Sequence, residues 1–174
     1  SVCAGLRVCP PDGKMPGLTA ECRSAFMVNW IIGHTERFAC AVSQRSISNM
    51  VSMFCTSDIG YRFIADQCGA TPWDDMDALW EQSPLAYAHR AKTPTLFIHG
   101  AEDYRCDRSE AMQMFTALRY YGVESRLCLF EGENHELSRS GTPSQRIRRL
   151  NEILAWLAHY LKPEPGKKQG VNKI

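Results

Sequence analysis

Two short loops hold residues whose types could do chemistry together. The first reads Gly100-Ala101-Glu102-Asp103-Tyr104-Arg105-Cys106, the second Glu131-Gly132-Glu133-Asn134-His135-Glu136-Leu137. A carboxylate can hold one nitrogen of an imidazole and fix its tautomer. The other nitrogen then takes a proton from a nucleophile and returns it to a leaving group. Asp103 and His135 are the candidates for that pair. Singly, each has an ordinary alternative: a loop Asp is commonly solvated or a helix cap, and a loop His commonly lies on the surface. What joins them is placement, each just beyond a predicted strand and about 30 residues apart. The other histidines are weaker candidates. His99 sits at a strand end and reads as structural, His34 closes a helix, and His89 and His159 read as surface positions.

Positioning such a pair requires strands of one sheet. Thr95-Leu96-Phe97-Ile98-His99-Gly100, entered through Pro94, predicts a buried strand; 38–43 and 125–130 predict two more. From Ser24, the residues Phe26, Met27, Trp30 and Ile31 recur at helical spacing, and Gly33 closes the segment. Asp107 and Glu110 form a capping box for a helix running to Tyr121, with Gly122 as its stop. Thr142-Pro143-Ser144-Gln145 opens a last helix, ended by Pro163. Its expected inner face is Ile147, Leu150, Ile153, Leu154, Leu157 and Leu161. Residues 44–90 are a polar and aromatic insert with short helical patches. Residues 1–21 read as an irregular N-terminal segment, residues 22–162 as the folded unit and 163–174 as a disordered tail.

Strands alternating with helices predict an α/β fold, a parallel sheet with helices on both faces, with the strands near 39–43, 95–99 and 125–130 as neighbours. Ligands bind beyond the carboxyl ends of such strands. An acid after one strand and a histidine after the next, converging at one sheet edge, is the arrangement of the α/β-hydrolase fold, whose triad runs nucleophile, acid, histidine.

Composition narrows the function. The 174 residues suit one domain, and 20 Lys+Arg against 19 Asp+Glu give a net charge of +1. That balance supplies no field for nucleic acid or an acidic membrane. No apolar run approaches the ~20 residues of a spanning helix. The start, Ser1 to Gly5, has no initiator Met and no signal-peptide pattern, and reads as an internal start of a fragment or processed chain. The eight cysteines are widely and irregularly spaced, with no Cys-x-x-Cys pair. They are expected to be reduced, in a cytoplasmic setting.

Longer segments carry a family resemblance. Trp30-Ile31-Ile32-Gly33-His34-Thr35-Glu36-Arg37-Phe38, Ser43-Gln44-Arg45-Ser46-Ile47-Ser48-Asn49 and Thr56-Ser57-Asp58-Ile59-Gly60-Tyr61 resemble the prolyl-oligopeptidase family of serine peptidases, nearest its acylaminoacyl-peptidase branch. So do Leu96 to Gly100 with Glu102 to Cys106, and Gly132-Glu133-Asn134-His135-Glu136-Leu137-Ser138-Arg139-Ser140-Gly141. The resemblance runs from about Phe26 to Leu161. It implies an α/β-hydrolase fold with its N-terminal part missing, Asp103 as triad acid and His135 as triad histidine. It also implies hydrolysis of short or N-acylated peptides by acyl transfer. No metal or cofactor is implied; the partner is a short peptide, and a homo-oligomer is compatible with the pattern.

The family's elbow, Gly-Gly-Ser-Tyr-Gly-Gly, places its serine at Cys22, where this chain reads Ala20-Glu21-Cys22-Arg23-Ser24-Ala25. Ala20 and Ser24 are small, as a strained elbow requires. A thiol with a histidine partner is a competent nucleophile. The alternative is a lost nucleophile, with Cys22 an ordinary thiol; using Ser24 would need a two-residue shift of the match. The resemblance further implies that one oxyanion-hole donor and the first strands lie upstream. The chain as written is therefore expected to show little or no peptidase activity, and the rivals are an inactive degenerate homologue and a cysteine-dependent esterase on the same fold. For Arg105, a structural ion pair is weighed against holding a substrate carboxylate.

Overall fold

A computed structural model describes residues 17–21 and 23–161. The expected tail at 163–174 and most of the expected irregular segment at 1–21 lie outside the described residues. The part of that segment that is described differs from expectation: Leu18–Glu21 forms a strand, β1. Its sequence, LTAE, has no run of β-branched residues; pairing with the next strand makes it a strand.

The remaining elements are α1 (Arg23–Ile32), β2 (Ala41–Gln44), α2 (Met50–Thr56), α3 (Gly60–Cys68), α4 (Met76–Glu81) and a 3-10 helix (Pro84–Arg90), followed by β3 (Thr95–Gly100), α5 (Arg108–Tyr120), β4 (Ser125–Phe130), α6 (Leu137–Ser140) and α7 (Pro143–Leu161). The four strands lie in the order β1-β2-β3-β4, and every pair is parallel. Ala41 is level with Leu18 on one side and Thr95 on the other, and Thr95 is level with Ser125. β2 starts later than the sequence suggests because this pairing begins at Ala41, not Phe38.

Alternation along the strands splits the core. Ala41 and Phe97 face a cluster built with Val28 and Ile32 of α1 and Ala111, Met114 and Leu118 of α5. Val42, Leu96, Ile98, Cys128 and Phe130 face the other way, against Leu137 and Trp156. Helices therefore cover both faces of the sheet, as a two-sided parallel sheet requires. The insert builds a third cluster from Ile47, Met50, Met53, Phe54, Ile64 and Leu79, and it takes in Cys106 from the loop after β3.

Two helices differ from their sequence patterns. In α7 the inner side is Arg149, Ile153, Trp156, Leu157, Tyr160 and Leu161, so Ile153, Leu157 and Leu161 face inward as expected, while Ile147, Leu150 and Leu154 are 60%, 50% and 63% exposed. Counting only Leu and Ile overlooked the wide Trp156 ring and the Arg149 stem, whose Nε donates to Gln44 Oε1 at 2.7 Å. In α5, Asp107 caps as expected, accepting from Ser109 N at 2.9 Å. Glu110 does not close the capping box. It is fully buried and accepts instead from Ser48 N at 2.8 Å, Asn49 N at 2.9 Å and Ser52 Oγ. Burial pushes its carboxyl above the usual range. The helix ends as predicted: Gly122 takes φ 76, and Val123 N returns to Leu118 O at 2.9 Å.

Candidate active site

β3 and β4 run side by side and end level, Gly100 opposite Phe130, so the loops after them emerge together. Gly100 permits their contact: a Cβ there would collide with the carbonyl oxygens of Glu133 and Asn134. Ala101 N donates to Phe130 O and Glu102 N to Glu133 O, both at 3.0 Å. These bonds set the distance between the two loops.

Asp103 is 1% exposed. Its Oδ1 accepts from the backbone N–H groups of Arg105 at 3.0 Å and Cys106 at 2.9 Å. Charge-assisted bonds of this kind hold a buried carboxylate in one orientation. His135 Nδ1 lies 2.9 Å from Oδ2 and 3.0 Å from Oδ1, and donates to the carboxylate. The imidazole is only partly buried. With Nδ1 committed to Asp103, Nε2 is the ring nitrogen left able to accept a proton.

Behind the carboxylate lies His99, fully buried, with Nε2 donating to Cys106 O at 2.7 Å and sitting 3.6 Å from Asp103 Oδ2. Burial lowers its pKa and keeps the ring neutral. It supports the turn that offers N–H groups to Asp103, in line with its structural reading. His34, His89 and His159 are exposed.

Arg105 forms a bidentate ion pair with Asp58, at 2.6 Å and 3.0 Å. That bond holds the Asp58 carboxyl below its ordinary range. Ser57 Oγ donates to Arg105 O at 2.7 Å and Asp58 N to Tyr104 O at 3.0 Å, so the turn between α2 and α3 is strapped to the acid loop.

Cys22 lies outside the described residues. Its neighbours do fall in the order strand then helix, β1 ending at Glu21 and α1 beginning at Arg23. Among the described residues Cys40, Cys55, Cys68, Cys106 and Cys128 are free thiols. Burial raises the pKa of Cys40 to about 11 and also raises Cys68 and Cys128, which makes them poor nucleophiles.

Sequence reasoning missed a cavity of about 210 Å³ lined by Phe26, Ile47, Met50, Phe63, Ile64 and Cys68. It lies between α1 and the insert, whose core touches Cys106 beside the acid. Its lining comes from α1, the loop after β2, α2 and α3, so no single spacing marks it. No helix among the described residues is long and apolar enough to cross a membrane.

The family model of the prolyl oligopeptidase family matches residues 25–164. An uncharacterized peptidase YuxL of Bacillus subtilis is 46% identical over 150 residues, covering 86% of this chain and 23% of the relative. The acylamino-acid-releasing enzyme of Arabidopsis thaliana is 31% identical over 145 residues, covering 79% and 19%. The uncomplexed acylaminoacyl peptidase of Pyrococcus horikoshii superposes with a TM-score of 0.80 at 28% identity, over 88% of this chain and 25% of that one. A further acylaminoacyl peptidase, solved with Z-Gly-Gly-Phe-chloromethyl ketone, gives 0.81 at 28% identity, over 90% and 25%. The chain thus spans about a quarter or less of the length of these relatives. With an α/β-hydrolase sheet and an acid and histidine on adjacent strand ends, the chain belongs to the prolyl oligopeptidase family.

Proposed function

We propose that the chain carries the acid–base half of an acyl-transfer site for short or N-acylated peptides, with Cys22 at the position of attack. The observation that carries this reading is the Asp103–His135 hydrogen bond of 2.9 Å, formed by a buried carboxylate and a partly buried imidazole. Asp103 holds the tautomer and stabilises the imidazolium. His135 Nε2 takes the proton of the attacking group and gives it to the leaving amine. The strand-to-helix step around position 22 is the context in which a nucleophile elbow forms. A peptide chloromethyl ketone bound to a related acylaminoacyl peptidase supports a peptide as the substrate class. The cavity at Phe26 and Met50 would accept an apolar side chain of that peptide.

Turnover by the chain as written is low on this reading. Glu21 and Arg23 flank Cys22 where the family carries glycine and tyrosine, and nucleophile, base and oxyanion donors act as one unit. The test is release of chromophore from an acyl-amino-acid anilide, with His135→Ala as control. Expected is turnover little above the control, not improved by Cys22→Ser. Turnover far above it, abolished by alkylating Cys22, would replace this reading with a working thiol hydrolase.

A further inference from the structure

The histidine of the dyad is held at its ring by Asp103, but its main chain also needs an anchor. We infer that Arg45, at the end of β2, is a positioning residue for His135; the inference rests on the reading of Asp103 and His135 as the acid–base pair. Arg45 is 4% exposed, and its guanidinium Nη1 donates to the carbonyl oxygen of His135 at 2.8 Å. The two residues follow β2 and β4, with β3 between them. Two strand spacings are about 9–10 Å, a span that only the longest side chains approach.

The backbone at Arg45 is shaped for this reach. Arg45 has φ 57, the left-handed region, and among the described residues no other non-glycine has a positive φ. That conformation is costly for any side chain with a Cβ. Its own N–H donates to Ile98 O at 3.0 Å, which extends the β2–β3 pairing by one residue and fixes where the turn occurs. With Leu137 and Ser138 of the His135 loop, Arg45 lines one small cavity.

Two further anchors of the loop lie upstream and downstream of the histidine. Glu102 N holds Glu133 O, and Glu133 Oε1 in turn accepts from Thr142 N at 2.9 Å. Arg45 alone among these reaches residue 135 itself. A shift of the imidazole by an ångström would spoil proton transfer far more than substrate binding. Where turnover can be measured, Arg45 variants therefore lower kcat and leave KM unchanged.

The test does not depend on turnover. The readout is the NMR signal of the His135 Nδ1–H, shifted downfield and slowed in exchange by the bond to Asp103. Arg45→Gly removes the guanidinium and suits φ 57, so the fold is retained by circular dichroism and thermal melting. Arg45→Met and Arg45→Lys are measured alongside it. Expected is loss of the signal in Arg45→Gly and Arg45→Met and its retention in Arg45→Lys. A signal that disappears in Asp103→Asn yet survives in Arg45→Gly would overturn the inference and leave the acid–base reading standing. A wild-type protein without an Asp103-dependent signal would bring down both.

Discussion

Asp103, in the loop between β3 and α5, and Glu110, in the first turn of α5, are both buried carboxylates. Each accepts two backbone N–H groups, from Arg105 and Cys106 at Asp103 and from Ser48 and Asn49 at Glu110. They differ in what completes the set. Glu110 adds the hydroxyl of Ser52, a neutral donor, and burial pushes its pKa up. Asp103 adds an ionisable imidazole that is itself only partly buried. Burial and backbone donors are common to both carboxylates, so they do not mark a reactive one. On the proposed reading, the titratable partner does. Glu110 ties α5 to the start of α2; on the proposed reading, Asp103 prepares His135 for proton transfer.

Substitutions should separate the two. The largest effect is expected from Asp103→Asn, which removes the charge that stabilises an imidazolium and lets the ring tautomer invert. Site-directed alkylation or acylation should slow by about 10²–10⁴-fold, with little change in melting temperature. Next, Glu110→Ala strands the N–H groups of Ser48 and Asn49 and the hydroxyl of Ser52. Unfolding in urea should show a loss of about 3 kcal/mol, and Glu110→Gln, which still offers an acceptor, a smaller one.

His99 gives a pH dependence. Its folded pKa lies below the ordinary 6.5, so below that value the unfolded chain binds a proton that the folded chain refuses. Stability from this group is complete above about pH 6.5 and lost as pH falls, with a limiting slope near 1.4 kcal/mol per pH unit. His99→Gln, which keeps a donor for Cys106 O, should flatten the acid limb of a melting-temperature profile. The smallest effect belongs to the exposed Asp58–Arg105 strap: Asp58→Asn should cost about 0.2–1 kcal/mol, less in high salt. A loss of several kcal/mol there would mean that the acid loop depends on the insert for its shape.

Much of this was legible in the sequence because it rests on local pattern. The strands at β3 and β4 follow from short apolar runs between Pro, Gly and polar residues, and parallel pairing from the helices between them. Once those strands were neighbours, the loops of Asp103 and His135 had to emerge together. What the sequence hid depends on partners distant along the chain. β1 is a strand because β2 pairs with it. Glu110 is spaced as a cap but is taken by Ser48 and Asn49, residues more than 60 positions away. Arg45 looks like any loop arginine until its φ and its contact with His135 are seen. The inner face of α7 turned on Trp156 and Arg149, which a count of aliphatic residues passes over.

On the proposed reading, Asp103 and His135, with the residue at position 22, form one reactive site for peptides. Its most direct test is labelling with a peptidyl chloromethyl ketone ending in a large apolar residue, followed by peptide mass mapping. One adduct per chain is predicted, on His135 or Cys22, and the Asp103→Asn variant should form it far more slowly. An adduct spread over the exposed Cys55 and the exposed His34, His89 and His159, at rates that Asp103→Asn leaves unchanged, would contradict it.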